Sequence, residues 1–441
     1  MTAPSINSDR LWSRLMDMAE IGAIPGNGSR RLALSQDDID GRELFLAWCE
    51  NRGYRATYDK VGNLFVRRAG SDADALPVVL GSHLDTQPNG GRFDGVLGVL
   101  AGLEVLETLD DRGIQTRAPV DVAIWTNEEG TRFQPAMMGS GVFTGALSLP
   151  DVLATEDSSG VRVADELTAH GYDNGLPPGF HQIGHYAELH IEQGPILEME
   201  DKTIGIVTGG QAIRWFTIVL QGETTHAGPV PMAARRDPVP ALARVIDLVF
   251  GLPDGDTAAR ATIGEIGAHP GSINVVPEQI RLSVDLRHPD ETMLEQMQQK
   301  FLAGIDQIAS DNEHLKLKAD CTWHSPVVRF DQDMVDAARN AAVARGYPAM
   351  DIISGAGHDA FNLARVVPST LVFVPCKGGV SHNEREYAAP KHVAAGANVL
   401  LDIALEFAQS RDAVHPSRGE PDEAETPSHT RTPHEADSLH R

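Results

Sequence analysis

Imidazoles and carboxylates recur at the ends of four apolar stretches of this sequence. The first group is Gly81-Ser82-His83-Leu84-Asp85-Thr86, which leads through Gly90-Gly91-Arg92-Phe93 to Asp94-Gly95. Glu128-Glu129 follow the apolar run that ends at Trp125. His190 lies in Leu189-His190-Ile191-Glu192-Gln193-Gly194-Pro195, and Ser381-His382-Asn383-Glu384 follow the run that ends at Val374. Each element alone has an ordinary reading, a hydrogen-bonded structural histidine or a solvent-facing acid pair. Their recurrence at equivalent positions points instead to a metal centre. Mixed imidazole and carboxylate ligation suits zinc, manganese, cobalt or nickel, and the absence of clustered cysteines argues against a structural thiolate site. The glycine-rich loop has neither a Gly-Lys-Ser/Thr ending nor G-x-G-x-x-G spacing, so phosphate binding is not supported.

Such a set needs strands to place it. Val78-Val79-Leu80, Val120 to Trp125, Ala187 to Ile191 and Leu371 to Val374 read as strands. Val96, Leu97, Val99, Leu100, Leu103 and Leu106 repeat at the three- and four-residue spacing of a helix with a buried face. Strands alternating with helices predict an α/β fold: a mainly parallel sheet with helices on both faces and its site at the carboxyl ends of the strands. Between 213 and 325 the pattern changes to strand (Arg214 to Leu220), helix (Asp237 to Phe250), strands (Ala261 to Gly267, Gln279 to Arg287), helix, and strand (Leu315 to Thr322). That order is a ferredoxin-like α+β unit. Its second helix carries Met293, Leu294, Met297, Phe301, Ile305 and Ile308, a stripe read as core rather than as a partner-facing surface. The expected organisation is therefore a catalytic domain over 1–212 and 326–410, an inserted domain over 213–325, and a disordered tail over 411–441, which is rich in Pro, acids and His.

Composition narrows the functional classes. Among 441 residues, 62 Asp+Glu stand against 37 Lys+Arg, and a net charge of -25 repels nucleic acid and anionic membranes. The amino terminus lacks the pattern of a signal peptide and no run is apolar enough to span a bilayer, so a cytoplasmic protein is expected. Cys49, Cys321 and Cys376 are scattered and are read as inert thiols.

The segments GSHLDTQPNGGRFDGVLGVLAGLEVL, WTNEEGTRFQPAMMGS, ELHIEQGP, THAG, GSINVVPE, DLRHP, SGAGHDA and SHNE resemble, in that order, the dinuclear-metal amidohydrolases. These comprise N-carbamoyl-L-amino acid hydrolases, β-ureidopropionases and allantoate amidohydrolases, relatives of metal-dependent aminoacylases and carboxypeptidases. The resemblance runs from about Leu11 to Ala408. It implies two divalent ions, zinc foremost, with Asp94 bridging them and His83 with Glu129, or His190 with His382, completing the two shells. It implies Glu128 as general base and Asp85 as the carboxylate that orients the His83 imidazole. It further implies an inserted domain that acts as lid and dimer face, with His226 stabilising the oxyanion across a homodimer interface and Asn274 and Arg287 gripping a substrate carboxylate. Gln193, Gly357 and His358 are expected to touch substrate.

The activity implied is hydrolysis of the carbamoyl group of an N-carbamoyl amino acid to amino acid, carbon dioxide and ammonia. The partner expected is that small molecule. Val230 departs from the threonine that relatives often carry beside His226, whereas Gln87 resembles the carbamoyl-amino-acid branch. Alternative readings are an allantoate amidohydrolase, an N-acyl amino acid hydrolase or peptidase, and a non-catalytic metal-binding relative. Retention of Glu128 speaks against the last.

Overall fold

A computed structural model describes residues 4–410; the expected disordered tail, 411–441, lies outside them. The main sheet runs from edge to edge as Val328–Arg329, Ile204–Gly210, Ser369–Val374, His185–Ile191, Val78–His83, Val120–Trp125, Leu64–Arg68 and Arg55–Tyr58. Ala349–Ser354 adds alongside Ile204–Gly210. The four middle strands are parallel to one another, but both flanks carry antiparallel pairs. The sheet is thus mixed, not mainly parallel as the sequence predicts. The reason is local: Arg55–Tyr58 and Leu64–Arg68 are joined by a turn too short for anything but an antiparallel hairpin. In that turn the Asp59 carboxylate accepts the Val61 and Asn63 N–H groups at 3.0 Å. Exposed, polar Arg55-Ala56-Thr57-Tyr58 gave no apolar run to announce the strand.

The helix Val96–Asp111 is buried from Val96 to Leu109, more completely than one apolar face requires. It is covered by Ser8–Ala19 on one side and Pro390–Gln409 on another, while its remaining surface packs on the Val78–His83 and Val120–Trp125 strands. Burying its Leu and Val side chains contributes about 1.5–3 kcal/mol each, before chain entropy is counted. That rigid helix is what aims Asp94 and Gly95 at the strand ends.

Residues 212–325 build a second, four-stranded antiparallel sheet in the order Arg260–His269, Gln279–His288, Ala212–Gln221, Lys316–Ser325. Two helices, Val239–Gly251 and Glu291–Asp311, pack against it. Phe216, Ile218, Leu220, Leu282, Val284, Leu294 and Phe301 form a core separate from that of the main sheet. The stripe on Glu291–Asp311 is core, with the exception of Met293, which is exposed.

Candidate active site

Each acid and imidazole of the first motif is fixed by backbone. His83 ends its strand, and its Nδ1 lies 2.8 Å from the Asp85 carbonyl, which turns Nε2 toward Asp94 Oδ1 (3.6 Å) and Glu128 Oε2 (3.4 Å). His190 is held in the same way by the Ile191 carbonyl at 2.8 Å, and its Nε2 stands 3.0 Å from Asp94 Oδ1. On the other side of the shared carboxylate, His382 Nε2 is 3.5 Å from Asp94 Oδ2 and 3.3 Å from Glu129 Oε2. The potential ligand atoms therefore gather as His83-Asp94-His190 and as Asp94-Glu129-His382, with a third group, Glu188-His190-His358, sharing His190. This corrects the grouping expected from sequence, in which His83 went with Glu129 and His190 with His382. The strand order puts the ends of Val78–His83 and His185–Ile191 side by side, so their two imidazoles meet first.

Glycine is required where the motif turns into the helix. Gly95 has φ +67°, and a Cβ there would lie 2.4 Å from the His83 ring. Asn127, Met137, Gln193 and His382 also hold positive φ values of 51–57° around the site, a strain that functional positions commonly retain.

Asp85 does not serve as the sequence suggests. Its backbone carbonyl, not its carboxylate, holds the His83 ring; Oδ1 is 3.9 Å from Nδ1. The carboxylate instead accepts the N–H groups of Glu128 and Glu129, each at 3.2 Å. Where a side chain stops two residues along a turning loop depends on the backbone path, which residue spacing does not reveal.

The electrostatics are those of a cation site. Among the described residues, no Lys or Arg pairs with Asp94, Glu128 or Glu129; the basic groups that face them are imidazoles. Burial, then the neighbouring carboxylates, push Glu128 and Glu129 well above the usual carboxylate range. Burial pulls His83 down to about 4, so at neutral pH its Nε2 is a bare lone pair facing two carboxylate oxygens. Burial opposes charge on His190 as well, yet Asp94 outweighs it and raises that imidazole to about 9. The donor set and its charge imbalance fit divalent metal ions.

The remaining predicted residues divide between the two units. Gln193 donates from Nε2 to Asp94 Oδ2 at 2.8 Å, and His358 is buried with its ring 4.5 Å from that of His190. Gly357 lies against Met137, whose Cε would be 3.2 Å from an added Cβ. Arg287 sits on the second sheet, whereas His226 lies on a separate two-stranded ladder, Thr225–His226 with Val275–Val276, and Asn274 in the turn just before the latter strand. His226 is exposed and accepts the Gly228 N–H at 3.0 Å, with no hydrogen bond or ion pair to the metal-type cluster among the described residues. Asn274 is exposed and accepts from Ser272 Oγ at 3.0 Å. Arg287 spans the two units: Nη1 donates to the Gly355 carbonyl at 2.7 Å, while Nε and Nη2 fork onto Asp285 at 2.7–3.0 Å.

Sequence reasoning passed over several partners. Gln87 is gripped between Thr131 Oγ1 (2.8 Å) and Glu129 Oε2 (2.7 Å), which orients that acid. Buried Glu188 accepts from Ser82 Oγ, Tyr186 Oη and the Ala360 N–H behind His190. Glu188 stands two places before His190 on its strand, so the period of two that puts both on one face was the available signal. Cys49 and Cys376 are buried thiols pushed up to about 12, poor nucleophiles as expected, while Cys321 is exposed.

The sequence matches peptidase family M20/M25/M40 over residues 79–406. The chain belongs to this family. As an M20-family member it is 43% identical to an N-carbamoyl-L-amino-acid amidohydrolase of Rhizobium meliloti over 93% of this chain and 99% of that one. It is 33% identical to an allantoate amidohydrolase of Bacillus subtilis over 89% of this chain and 95% of the relative. Among solved structures, an amidase of the hydantoinase/carbamoylase family from Burkholderia multivorans superposes with a TM-score of 0.87 at 48% identity, covering 93% of this chain and all of that one. The M20 fold is a mixed α/β fold, as found here, and its enzymes are metal-dependent, in keeping with the ligand-type groups of the site. No helix among the described residues is long and apolar enough to cross a membrane.

Proposed function

We propose that this M20-family chain hydrolyses the carbamoyl C–N bond of an N-carbamoyl amino acid, releasing the amino acid, carbon dioxide and ammonia. One observation carries the reading: the Asp94 carboxylate turns one oxygen to His83 and His190 and the other to His382, whose imidazole also faces Glu129, with Glu128 beside His83. The 43% identity to an N-carbamoyl-L-amino-acid amidohydrolase directs it to the carbamoyl substrate class.

His83, His190 and Asp94 would hold one divalent ion, and Asp94, Glu129 and His382 a second; zinc is the first choice, and manganese, cobalt or nickel suit the same donors. A ureido carbonyl is a poor electrophile because both nitrogens feed it electron density, and bound divalent ions supply the Lewis acidity that such a carbonyl and an attacking water need. Glu128 is the general base. Its backbone is clamped by Asp85 and its carboxylate is buried at the mouth of the ligand cluster, placed to take a proton from water and return it to the departing nitrogen. Glu129, turned the other way by Gln87, is left to ligate.

Arg287 and Asn274 grip the substrate carboxylate in this account, with Gln193, Gly357 and His358 lining the approach. A carboxylate entering beside Arg287 would meet a guanidinium already levelled by Asp285. The inserted domain, 213–325, serves as lid and as the face of a homodimer, through which His226 of one copy completes the oxyanion site of the other. The small-molecule substrate is the partner, and the cytoplasm is the compartment.

A second reading, allantoate hydrolysis, is favoured by the Bacillus subtilis relative. Ammonia release from N-carbamoyl-L-amino acids, N-carbamoyl-β-alanine, allantoate and N-acetyl-L-amino acids decides among them. Turnover of the first group above the rest supports the proposal; preference for allantoate selects the alternative, and deacylation alone overturns both.

A further inference from the structure

Glu386 is buried beside the shared carboxylate. Its Oε1 accepts the backbone N–H groups of Phe93 (2.9 Å) and Asp94 (3.1 Å). Its Oε2 lies 2.9 Å from Ser381 Oγ, and that hydroxyl lies 2.7 Å from Asp94 Oδ2. The ring of contacts therefore closes on Asp94 from two sides, through its own backbone and through its side chain. The loop Ser381 to Glu386 also carries His382, so the same six residues supply an imidazole and the clamp. The main chain makes room for it: a Cβ at Gly91 would come within 2.2 Å of Glu386 Oε1, so the approach needs glycine at that position.

We infer that Glu386 is a positioning residue, which with Ser381 fixes Asp94 in the one orientation that presents an oxygen to each ligand group. The inference rests on the proposal that the cluster holds divalent ions and names what that proposal leaves open, the group that sets the geometry of the bridge. Asp94 sits at the entrance to a helix, where its side chain could swing toward either neighbour. The carboxylate of Glu386 holds the peptide N–H groups, and the Ser381 hydroxyl, alongside the Gln193 amide, holds Oδ2, the oxygen that faces His382. Loss of the clamp should weaken that second group more than the His83-His190 group, which Asp94 meets through Oδ1. The role is geometric. An amide in place of the acid keeps it, because a glutamine oxygen can accept both N–H groups while its NH2 donates to Ser381 Oγ, leaving the serine proton for Asp94.

The test is a cobalt(II) titration of the full, metal-stripped chain, followed by visible absorption and by competition with a chelator, on the parent, Glu386→Gln, Glu386→Ala and Ser381→Ala. The expected result is parent-like binding by Glu386→Gln, and an affinity for the second equivalent about 10- to 100-fold weaker in Glu386→Ala and Ser381→Ala, with an altered d–d spectrum. Near-UV circular dichroism reports whether the fold is kept. Should Glu386→Ala fail to fold, parent-like binding of both equivalents by Ser381→Ala overturns the inference. So does parent-like binding by a folded Glu386→Ala, or an equal loss in Glu386→Gln and Glu386→Ala. A parent chain that binds no cobalt overturns the metal reading and this inference with it, whereas a parent that binds as the variants do overturns this inference alone.

Discussion

Asp85 holds Glu128 by its backbone: the Asp85 Oδ1 accepts the Glu128 N–H at 3.2 Å, while Oδ2 takes that of Glu129 at the same distance. One buried carboxylate thereby sets the direction of both acids, the proposed base and the proposed ligand. Asparagine offers an oxygen to only one of those N–H groups and turns an NH2 against the other. A buried donor left facing a donor costs about 1–3 kcal/mol. Asp85→Asn should therefore lower kcat roughly 10- to 100-fold with little change in KM. Metal content should stay near that of the parent, because the His83 ring is held by the Asp85 carbonyl, which the substitution keeps. Loss of metal in proportion to kcat would mean that the carboxylate orients the imidazole after all.

Gly95→Ala is expected to act on the metal rather than on the base. The added Cβ would meet the His83 ring at 2.4 Å in a left-handed backbone conformation that alanine resists. Zinc affinity measured by chelator competition should fall about tenfold or more. Unchanged affinity would show that His83 can retreat without cost and is not an essential ligand.

Metal affinity should rise with pH. In the metal-free protein His190, opposed by burial but drawn up by Asp94, keeps a proton to about 9, and buried Glu129 is raised well above its ordinary value. Ligation needs the neutral imidazole and the ionised carboxylate, so binding below those pKa values releases protons and is weakened by acid. Calorimetry in buffers of different ionisation enthalpy, from neutrality towards about pH 9, should find proton release that shrinks as pH rises. Release of no protons near neutrality would rule out His190 as a ligand that the free chain holds protonated.

Much of this was legible in the sequence, and the limits are physical. His83, Glu128, Glu129 and His190 could be placed because apolar runs mark buried strands: Val78–His83 ends at His83, Val120–Trp125 just before Glu128, and His185–Ile191 one residue past His190. The strand-helix-strand-strand-helix-strand order over residues 213–325 was visible because its two central strands, Ala212–Gln221 and Gln279–His288, alternate buried with more open side chains. The antiparallel flanks of the main sheet were not, since a strand such as Arg55–Tyr58, exposed and polar, carries no periodic signal. The grouping of ligands depends on which strand ends are neighbours in the sheet, information held in pairing and not in spacing. Arg287 and Asp285 lie two apart on one strand, so their contact follows from the period of a strand, but the reach of Arg287 to Gly355 does not.

Arg287→Lys tests the substrate carboxylate grip. Lysine cannot reproduce the planar fork that Arg287 makes with Asp285 while reaching the Gly355 carbonyl. A hydrogen-bonded charge contact is worth about 1.5–3 kcal/mol, so KM for an N-carbamoyl amino acid should rise roughly 10- to 150-fold while kcat moves less. An unchanged KM would leave Arg287 as a strap between the two sheets and nothing more.

Metal-dependent hydrolysis with Glu128 as base is read out by ammonia release from one N-carbamoyl-L-amino acid. The chain would be assayed as purified, after metal stripping, and after return of zinc, manganese or cobalt, with Glu128→Gln under the same conditions. Activity that disappears with the metal, returns with it, and falls by at least about a hundredfold in a Glu128→Gln variant that still binds metal is the predicted result. Turnover that survives stripping, or a Glu128→Gln variant as fast as the parent, would contradict it.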